Sequence, residues 1–290
     1  MNERQLTPLR ATALMVGAGV GAGIMAVPYL ADRVGPLPLA LILIVAYVAA
    51  TFIHLMLVEI LLRTGRPLQV IELMRLWVLD RPGRRPLLWL VFGLLSVAFM
   101  AALAAYVAAE AEIVSDATGL PEAVSQALVY AVSAGVVFFG LRAVGLFATA
   151  GVVALIGCVV VLVAGTLGAT VDLDLGVRGT ALDGLALFGM VMYGYYAFFS
   201  VPQVVKGLAP DGRAAARAVA AGLAVNGLLI TLVAWVALSV SDPVTEVAIV
   251  GISDQLGPWA GGIGAVSVSY THLRAHETRY VISYAVFCLK

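Results

Sequence analysis

Charged residues are scarce in this sequence. Asp, Glu, Lys and Arg together make up 12% of the 290 residues, and acids and bases balance to a net charge of zero. A soluble domain of this length carries about a quarter of its residues as charges, so the composition excludes an ordinary soluble protein. A balanced charge also removes the electrostatic basis for binding nucleic acid, and no nucleic-acid partner is expected.

Cysteine and the motifs of enzyme chemistry are also nearly absent. Cys158 lies in an apolar segment and Cys288 near the end of the chain, which gives neither a disulfide framework nor metal-ligand spacing. There is no hydrolase triad, and the glycine-rich segment lacks the Gly-Lys-Ser/Thr ending of a phosphate-binding loop. We therefore expect no enzyme activity, no metal site and no cofactor.

Long apolar segments dominate instead, since 62% of the residues are hydrophobic. Seven segments are long enough to cross a bilayer as helices. They cover residues 11–31, 37–62, 87–110, 122–140, 145–168, 184–206 and 216–240. The sequence therefore predicts an all-α, polytopic protein that passes through the membrane several times, with the lipid bilayer as its partner.

Basic residues are distributed unevenly between the two ends of these spans. They concentrate in the N-terminus and in the loops after the second, fourth and sixth spans, whereas Arg33 and Arg178 alone lie on the other side. Because cytoplasmic loops are rich in Lys and Arg, this pattern predicts a cytoplasmic N-terminus. We expect the protein in the inner (plasma) membrane.

The first span contains residues that disfavour a straight helix. It carries four alternating glycines and then a proline, namely Gly17, Gly19, Gly21, Gly23 and Pro28. Glycine costs about 1 kcal/mol relative to alanine in a helix, and proline removes a backbone donor. Secondary transporters use such broken helices to present backbone groups to a solute. The alternative is close helix packing, since glycines four residues apart also bring helices together.

The sixth span carries a second interruption. Gly189 and Gly194 loosen the helix, and we expect Pro202 to break it near its cytoplasmic end. Its aromatic residues are clustered: Tyr193, Tyr195, Tyr196, Phe198 and Phe199. Tyrosine hydroxyls inside a membrane need polar partners, which favours the side wall of a substrate cavity over an aromatic packing core.

The interrupted spans are thus the first and the sixth, with four ordinary spans between them. Two five-helix repeats would have their first helices at these positions, as in an inverted-repeat transporter. We expect a transporter core at residues 1–265, with the first repeat at about 8–168 and a partial second repeat at about 184–265.

Two segments resemble known permeases. The sequence GVGAGIMAVP at residues 19–28 resembles the first-helix signature of the amino acid/auxin and hydroxy/aromatic amino acid permeases, within the amino acid–polyamine–organocation superfamily. SVPQVVKGL at residues 200–208 and DGR at 211–213 resemble their sixth helix and the loop after it. The resemblance covers about residues 8–265. It implies a LeuT-like fold, solute held by broken helices one and six, and cation-driven uptake of amino acids.

The site residues follow from these features. Backbone groups of Val20, Gly21, Ala22 and Gly23 are predicted to bind the carboxylate and ammonium of an amino acid. The side-chain wall is predicted to consist of Tyr193, Tyr195, Tyr196 and Phe198, with Ser200 as a polar contact. The coupling ion is sodium or a proton, and the substrate an aromatic or neutral amino acid. The alternatives are an amino-acid-sensing membrane receptor on the same fold and a structural membrane subunit whose glycines only pack helices.

Two ionisable residues of the second span have structural explanations. Glu59 stands four residues before Arg63, which predicts an ion pair at the end of the helix. His54 lies deeper, and we favour a histidine that is hydrogen-bonded within the helix bundle over a proton relay.

The sequence changes character at about Val266. An eighth apolar segment begins at Pro258, but two histidines and two arginines follow between residues 272 and 279, so the segment is too short to cross. Residues 269–290 resemble translated sequencing adapter. We expect a non-native tail at 266–290 on a truncated chain, which would lack a helix that normally completes a sodium site and would not transport.

Overall fold

The computed structural model describes residues 6–19, 22–65, 68–79, 83, 85–138, 141–167, 176–209, 211–241, 243–257 and 259–263. Regular structure in these ranges is helical, as predicted for an all-α protein. The α-helices are α1 (Pro8–Gly19), α2 (Ala22–Val34), α3 (Pro36–Thr64), α4 (Val70–Met74), α5 (Arg85–Thr118), α6 (Glu122–Phe138), α7 (Leu141–Gly165), α8 (Ala181–Gly194), α9 (Val201–Gly207), α10 (Gly212–Val240) and α11 (Ala248–Leu256). A π-helical turn (Arg75–Leu79) follows α4, and a 3₁₀ turn (Phe198–Ser200) precedes α9.

Helix is present at each of the seven predicted spans. Three helical segments of the described chain are long and apolar enough to cross a bilayer, and a fourth is added if α1 and α2 count as one bent span. The three are Pro36–Thr64, Ala181–Gly207 and Gly212–Val240. These segments support a polytopic membrane protein, while the count of seven spans stays a prediction.

Local sequence explains where the principal helices begin and end. Gly35, with φ of 95°, turns the chain before α3, and Pro36 occupies the first turn, where its missing N–H is not needed. Gly65 ends the helix in a left-handed conformation. Thr180 and Asp183 form a reciprocal capping box at the start of α8, and Asp211 caps α10 through the backbone N–H of Ala214 at 2.9 Å.

The core of the described bundle forms around α10, which packs against α1, α2 and α3. Close approach of α1 depends on Gly222, because a methyl group there would overlap the side chain of Met15 and lie 3.2 Å from the carbonyl oxygen of Thr12. The outward face of α3 is apolar and exposed, which suits contact with lipid. Its exposed residues include Leu41, Ile44, Val48 and Phe52.

The predicted break at Pro202 is wrong. Pro202 lies in the first turn of α9, where a proline is tolerated because the N–H it lacks would have no helical partner. The sixth span is interrupted earlier, where α8 ends at Gly194 and three non-helical residues follow. Pro28 likewise lies inside α2 without ending it. The predicted ion pair between Glu59 and Arg63 is present on the exposed end of α3.

Other predictions concern residues outside the described ranges. Residues 264–290, which contain the end of the eighth segment and the tail predicted from Val266, are among these. The division into two repeats, the LeuT-like arrangement and the orientation of the chain also stay predictions.

Candidate functional site

The first span is broken in its middle, as predicted. Helix α1 ends at Gly19 and α2 begins at Ala22, and the axes of the two half-helices differ by 61°. Val20 and Gly21, predicted to contribute backbone contacts, lie outside the described residues. Ala22 and Gly23 form the first turn of α2, where backbone N–H groups have no partner within the helix.

The sixth span is broken at the same kind of position. The backbone N–H of Tyr195 still bonds to Val191 and Met192 of the last turn of α8, but the chain then leaves the helix. The N–H of Ala197 bonds to the carbonyl oxygen of Tyr195 at 2.9 Å, which makes a tight turn before the 3₁₀ segment. Both α1 and α8 therefore end in the interior of a predicted span, although at α8 the carbonyl oxygens of Met192 and Tyr193 still accept from the backbone N–H groups of Tyr195 and Tyr196.

These two helix ends meet. A methyl group placed on Gly19 would lie 3.0 Å from the carbonyl oxygen of Gly194 and would overlap the side-chain amide of Asn226. Gly19 is therefore the last residue before the break and also a residue that lets helices pack closely. The broken-helix and the helix-packing explanations of the glycines both apply to it. The absence of a side chain at this position lets α1, α8 and α10 approach one another at the breaks.

Asn226 of α10 is the polar side chain at this meeting point. It is fully buried, and its amide nitrogen Nδ2 points to the carbonyl oxygen of Met15 in α1 at a long 3.5 Å. Its oxygen Oδ1 has no hydrogen-bond partner within the part of the chain that the structure describes. The nitrogen Nδ2, a donor, is the atom of this side chain nearest to Gly19, and Oδ1 is a buried acceptor, so the meeting point holds both a donor with one long bond and an acceptor with none.

The three predicted wall tyrosines separate into two groups. Tyr195 is buried, its hydroxyl lies 3.4 Å from the carbonyl oxygen of Leu43, and its ring packs at 6.1 Å against that of Tyr47. A methyl group on Gly227 would overlap this hydroxyl, so Tyr195 fits closely between α3 and α10. It resembles the aromatic core that was the alternative to a substrate wall.

Tyr193 and Tyr196 lie elsewhere. Their rings stack at 6.4 Å between centroids, and each residue is about two-fifths exposed. The ring of Tyr196 also contacts Phe199 edge-on at 5.8 Å. Among the predicted tyrosines, these two keep an exposed aromatic face.

Phe198 and Ser200 lie in the turn after the second break. Ser200 is buried, and Phe198 meets the imidazole of His54 edge to face, with 5.7 Å between ring centres. His54 is itself buried in α3. The turn therefore brings an aromatic side chain of the sixth span against an ionisable side chain of the second.

On the other side of the breaks, α2 and α8 are joined to each other. The backbone N–H of Arg178 donates to the carbonyl oxygen of Val34 at 3.0 Å, and the Arg33 guanidinium lies 4.0 Å from the carboxylate of Asp183. Arg33 also lies 4.6 Å from the ring centre of Tyr29. These contacts tie the half-helices that follow and precede the two breaks into one unit.

Comparison with known proteins decides the family. The family model of the tryptophan/tyrosine permease family matches residues 5–280. The chain belongs to the tryptophan/tyrosine permease family. A search of the curated proteins gives no match. The family match covers both broken spans and Asn226, and it continues past residue 266, where the tail was predicted to begin.

Membership of this family indicates the general function of the chain. It is a multi-pass membrane protein that transports aromatic amino acids, and the family points to a transporter rather than an enzyme. Asn226 was not predicted from the sequence. The signal was present, because an asparagine inside an apolar span needs polar partners.

Proposed function

We propose that this permease takes up aromatic amino acids by cation-coupled alternating access on a LeuT-like inverted-repeat fold. The amino and carboxyl groups of the solute bind where the first and sixth spans are broken. One observation carries this proposal: the ends of α1 and α8 meet at Asn226, a buried side chain whose Oδ1 has no partner. The ammonium group of a solute would supply the donor that Oδ1 lacks, and unpaired polar atoms inside a membrane are costly.

The directions of the helices favour one position for the ammonium group of the solute and another for its carboxylate. Helix C-termini carry partial negative charge, so the ends of α1 and α8 favour the ammonium group or a coupling cation. The N-terminus of α2 carries partial positive charge and free N–H groups, so Ala22 and Gly23 favour the carboxylate. One break in the first span therefore serves both charged groups of an amino acid.

The contacts on the far side of the breaks suit alternating access. Because α2 and α8 are joined through Arg33, Asp183 and Val34, and α2 also packs against α10, these helices can move as one group relative to the rest of the bundle. Movement of one helix group against another around a fixed site is how inverted-repeat transporters open to each side in turn.

Saturation binding of labelled tryptophan to the full chain in nanodiscs tests the site. Replacing Asn226 with Leu removes the buried acceptor, and since hydrogen bonds to charged groups contribute about 1.5–3 kcal/mol, the affinity should fall roughly 10- to 150-fold. Thr231→Val is the matched control, because Thr231 is an exposed residue of the same helix whose hydroxyl donates to the carbonyl oxygen of Gly227 at 2.7 Å. Equal affinity in Asn226→Leu and Thr231→Val would contradict the site.

Ion substitution and flux separate the remaining alternatives. A cation-coupled transporter should show binding that depends on sodium or on pH, and flux of labelled tryptophan into proteoliposomes would demonstrate transport directly. Ion-independent binding would favour the receptor, and the absence of binding would favour a structural subunit.

A further inference from the structure

His54 of α3 has one ring nitrogen satisfied and one that is not. Its Nδ1 lies 2.7 Å from the carbonyl oxygen of Ala50. A carbonyl oxygen can only accept, so Nδ1 carries the hydrogen and the neutral ring presents a bare lone pair at Nε2. His54 is only 4% exposed, and Nε2 has no partner among the described residues.

A packing role for His54 explains Nδ1 but leaves Nε2 unexplained. A buried acceptor without a donor is costly, and in a membrane interior no bulk water replaces the missing partner. Protonating Nε2 would bury a charge instead, and neither of the described ion pairs, Arg33 with Asp183 and Arg63 with Glu59, involves the imidazole. The acceptor therefore matches a neutral donor that arrives with a ligand.

The surroundings of His54 indicate what kind of ligand this is. Phe198, whose ring meets the imidazole, opens the 3₁₀ turn directly after the break in the sixth span. Thr51 lies one turn before His54 on the same helix, and its Oγ1 is a second buried polar atom without a partner in the described chain. An aromatic side chain and two unpaired polar atoms thus lie beside the turn that follows the proposed binding site.

The distances along α3 agree with a side-chain subsite. Tyr47 packs against Tyr195, the residue that follows α8. His54 lies seven residues after Tyr47, which is about 10 Å along a helix at 1.5 Å per residue. Seven residues are about two turns, so His54 lies on the same face of α3 as Tyr47, and it meets the turn that follows the break through Phe198.

We propose that His54 Nε2 accepts a hydrogen bond from the ring donor of the substrate, and that Thr51 Oγ1 completes this subsite. The donor is the indole N–H of tryptophan or the phenol O–H of tyrosine. The phenol oxygen also accepts from the Thr51 hydroxyl. Phenylalanine has no such donor and is bound less tightly. This inference rests on the proposed function, since it names the group that distinguishes substrates at the same site.

Competition binding in nanodiscs tests the inference. The full chain is loaded with labelled tryptophan, which is displaced by tryptophan or by 3-benzothienylalanine, in which sulfur replaces the indole N–H at nearly the same shape. Wild type should bind tryptophan at least tenfold tighter than the thienyl analogue, because an analogue that lacks the donor leaves Nε2 unpaired. The same comparison between tyrosine and phenylalanine should give a similar ratio.

Variants of His54 test whether the imidazole causes the difference in affinity between tryptophan and the analogue. His54→Leu should bring the ratio of tryptophan to analogue affinity close to one, whereas His54→Gln, which keeps an acceptor, should retain part of it. Tyr47→Phe is the matched control on the same helix, because the Tyr47 hydroxyl points to the carbonyl oxygen of Ala220 at 3.4 Å. It should leave the ratio unchanged.

Each outcome decides the inference. An unchanged ratio in His54→Leu, or an equal loss of affinity for all ligands, would overturn it while leaving the proposed function intact. If His54→Leu does not fold, equal affinities of tryptophan and the thienyl analogue in the wild-type chain would overturn it by themselves. Absence of binding by any aromatic amino acid would refute the proposed function and this inference together.

Discussion

Replacing Gly19 with alanine should separate the two half-helices at the proposed site. The added methyl group would overlap the side-chain amide of Asn226 and lie 3.0 Å from the carbonyl oxygen of Gly194. The amide can rotate away, but the carbonyl group belongs to the backbone of α8 and yields only if the helices move apart. Overpacking of this kind costs about 1–3 kcal/mol.

That cost should appear in substrate affinity, because the same atoms are proposed to bind the charged end of the solute. A loss of 1–3 kcal/mol corresponds to a roughly 5- to 150-fold weaker binding of labelled tryptophan. Gly189→Ala is the matched control: Gly189 lies in α8, and a methyl group there would meet no atom within 4 Å. This control should bind like wild type and be slightly more stable, since alanine favours helix over glycine.

Both variants are compared by size-exclusion chromatography, which reports whether the protein remains folded, and by saturation binding in nanodiscs. If Gly19→Ala folds and binds tryptophan as tightly as Gly189→Ala does, the meeting of α1 and α8 has no role in binding, and the reasoning is refuted.

Three further predictions concern the wall, the orientation and the end of the chain. Tyr193→Ala or Tyr196→Ala should change the preference among aromatic amino acids in competition assays, and wild-type preference in both would favour a pure packing role. Tyr195→Ala should lower the free energy of unfolding by about 3–5 kcal/mol, because Tyr195 is buried in the core, and an unchanged stability would contradict that placement. A cysteine at Arg84 should react only from the cytoplasmic side, and labelling from outside would reverse the orientation. A non-native tail predicts that the genomic reading frame departs from this sequence after about Val266, and an unbroken frame to the last residue would disprove it.

Features that depend on neighbouring residues in the chain, such as helix breaks, were the ones best predicted from the sequence. Alternating glycines predict a broken first span because backbone preference depends on the residues themselves, and the break between Gly19 and Ala22 lies among them. The second break was placed at Pro202 because a proline inside an apolar run normally ends a helix. It instead begins α9, since the chain had already left the helix at Tyr195 and the first turn tolerates proline.

Features that depend on distant parts of the chain were not predictable in this way. Asn226 is part of the candidate site because it contacts Met15, 211 residues away, and lies beside the end of α8. The tyrosines were expected to form one wall, but the turn after Gly194 directs Tyr195 into the core and leaves Tyr193 and Tyr196 at the surface. Such a division is set by the path of the backbone, which composition and spacing do not encode.

The central claim is that the solute binds at the break in the first span, and saturation binding of labelled L-tryptophan to the Gly21→Leu protein tests it most directly. In the sequence, Gly21 lies between Gly19, the last residue of α1, and Ala22, the first residue of α2. A leucine side chain there should fill the space next to the backbone groups proposed to bind the carboxylate and ammonium. The account predicts that wild type binds tryptophan and that correctly inserted Gly21→Leu does not. Unchanged affinity in a correctly inserted Gly21→Leu protein would contradict it.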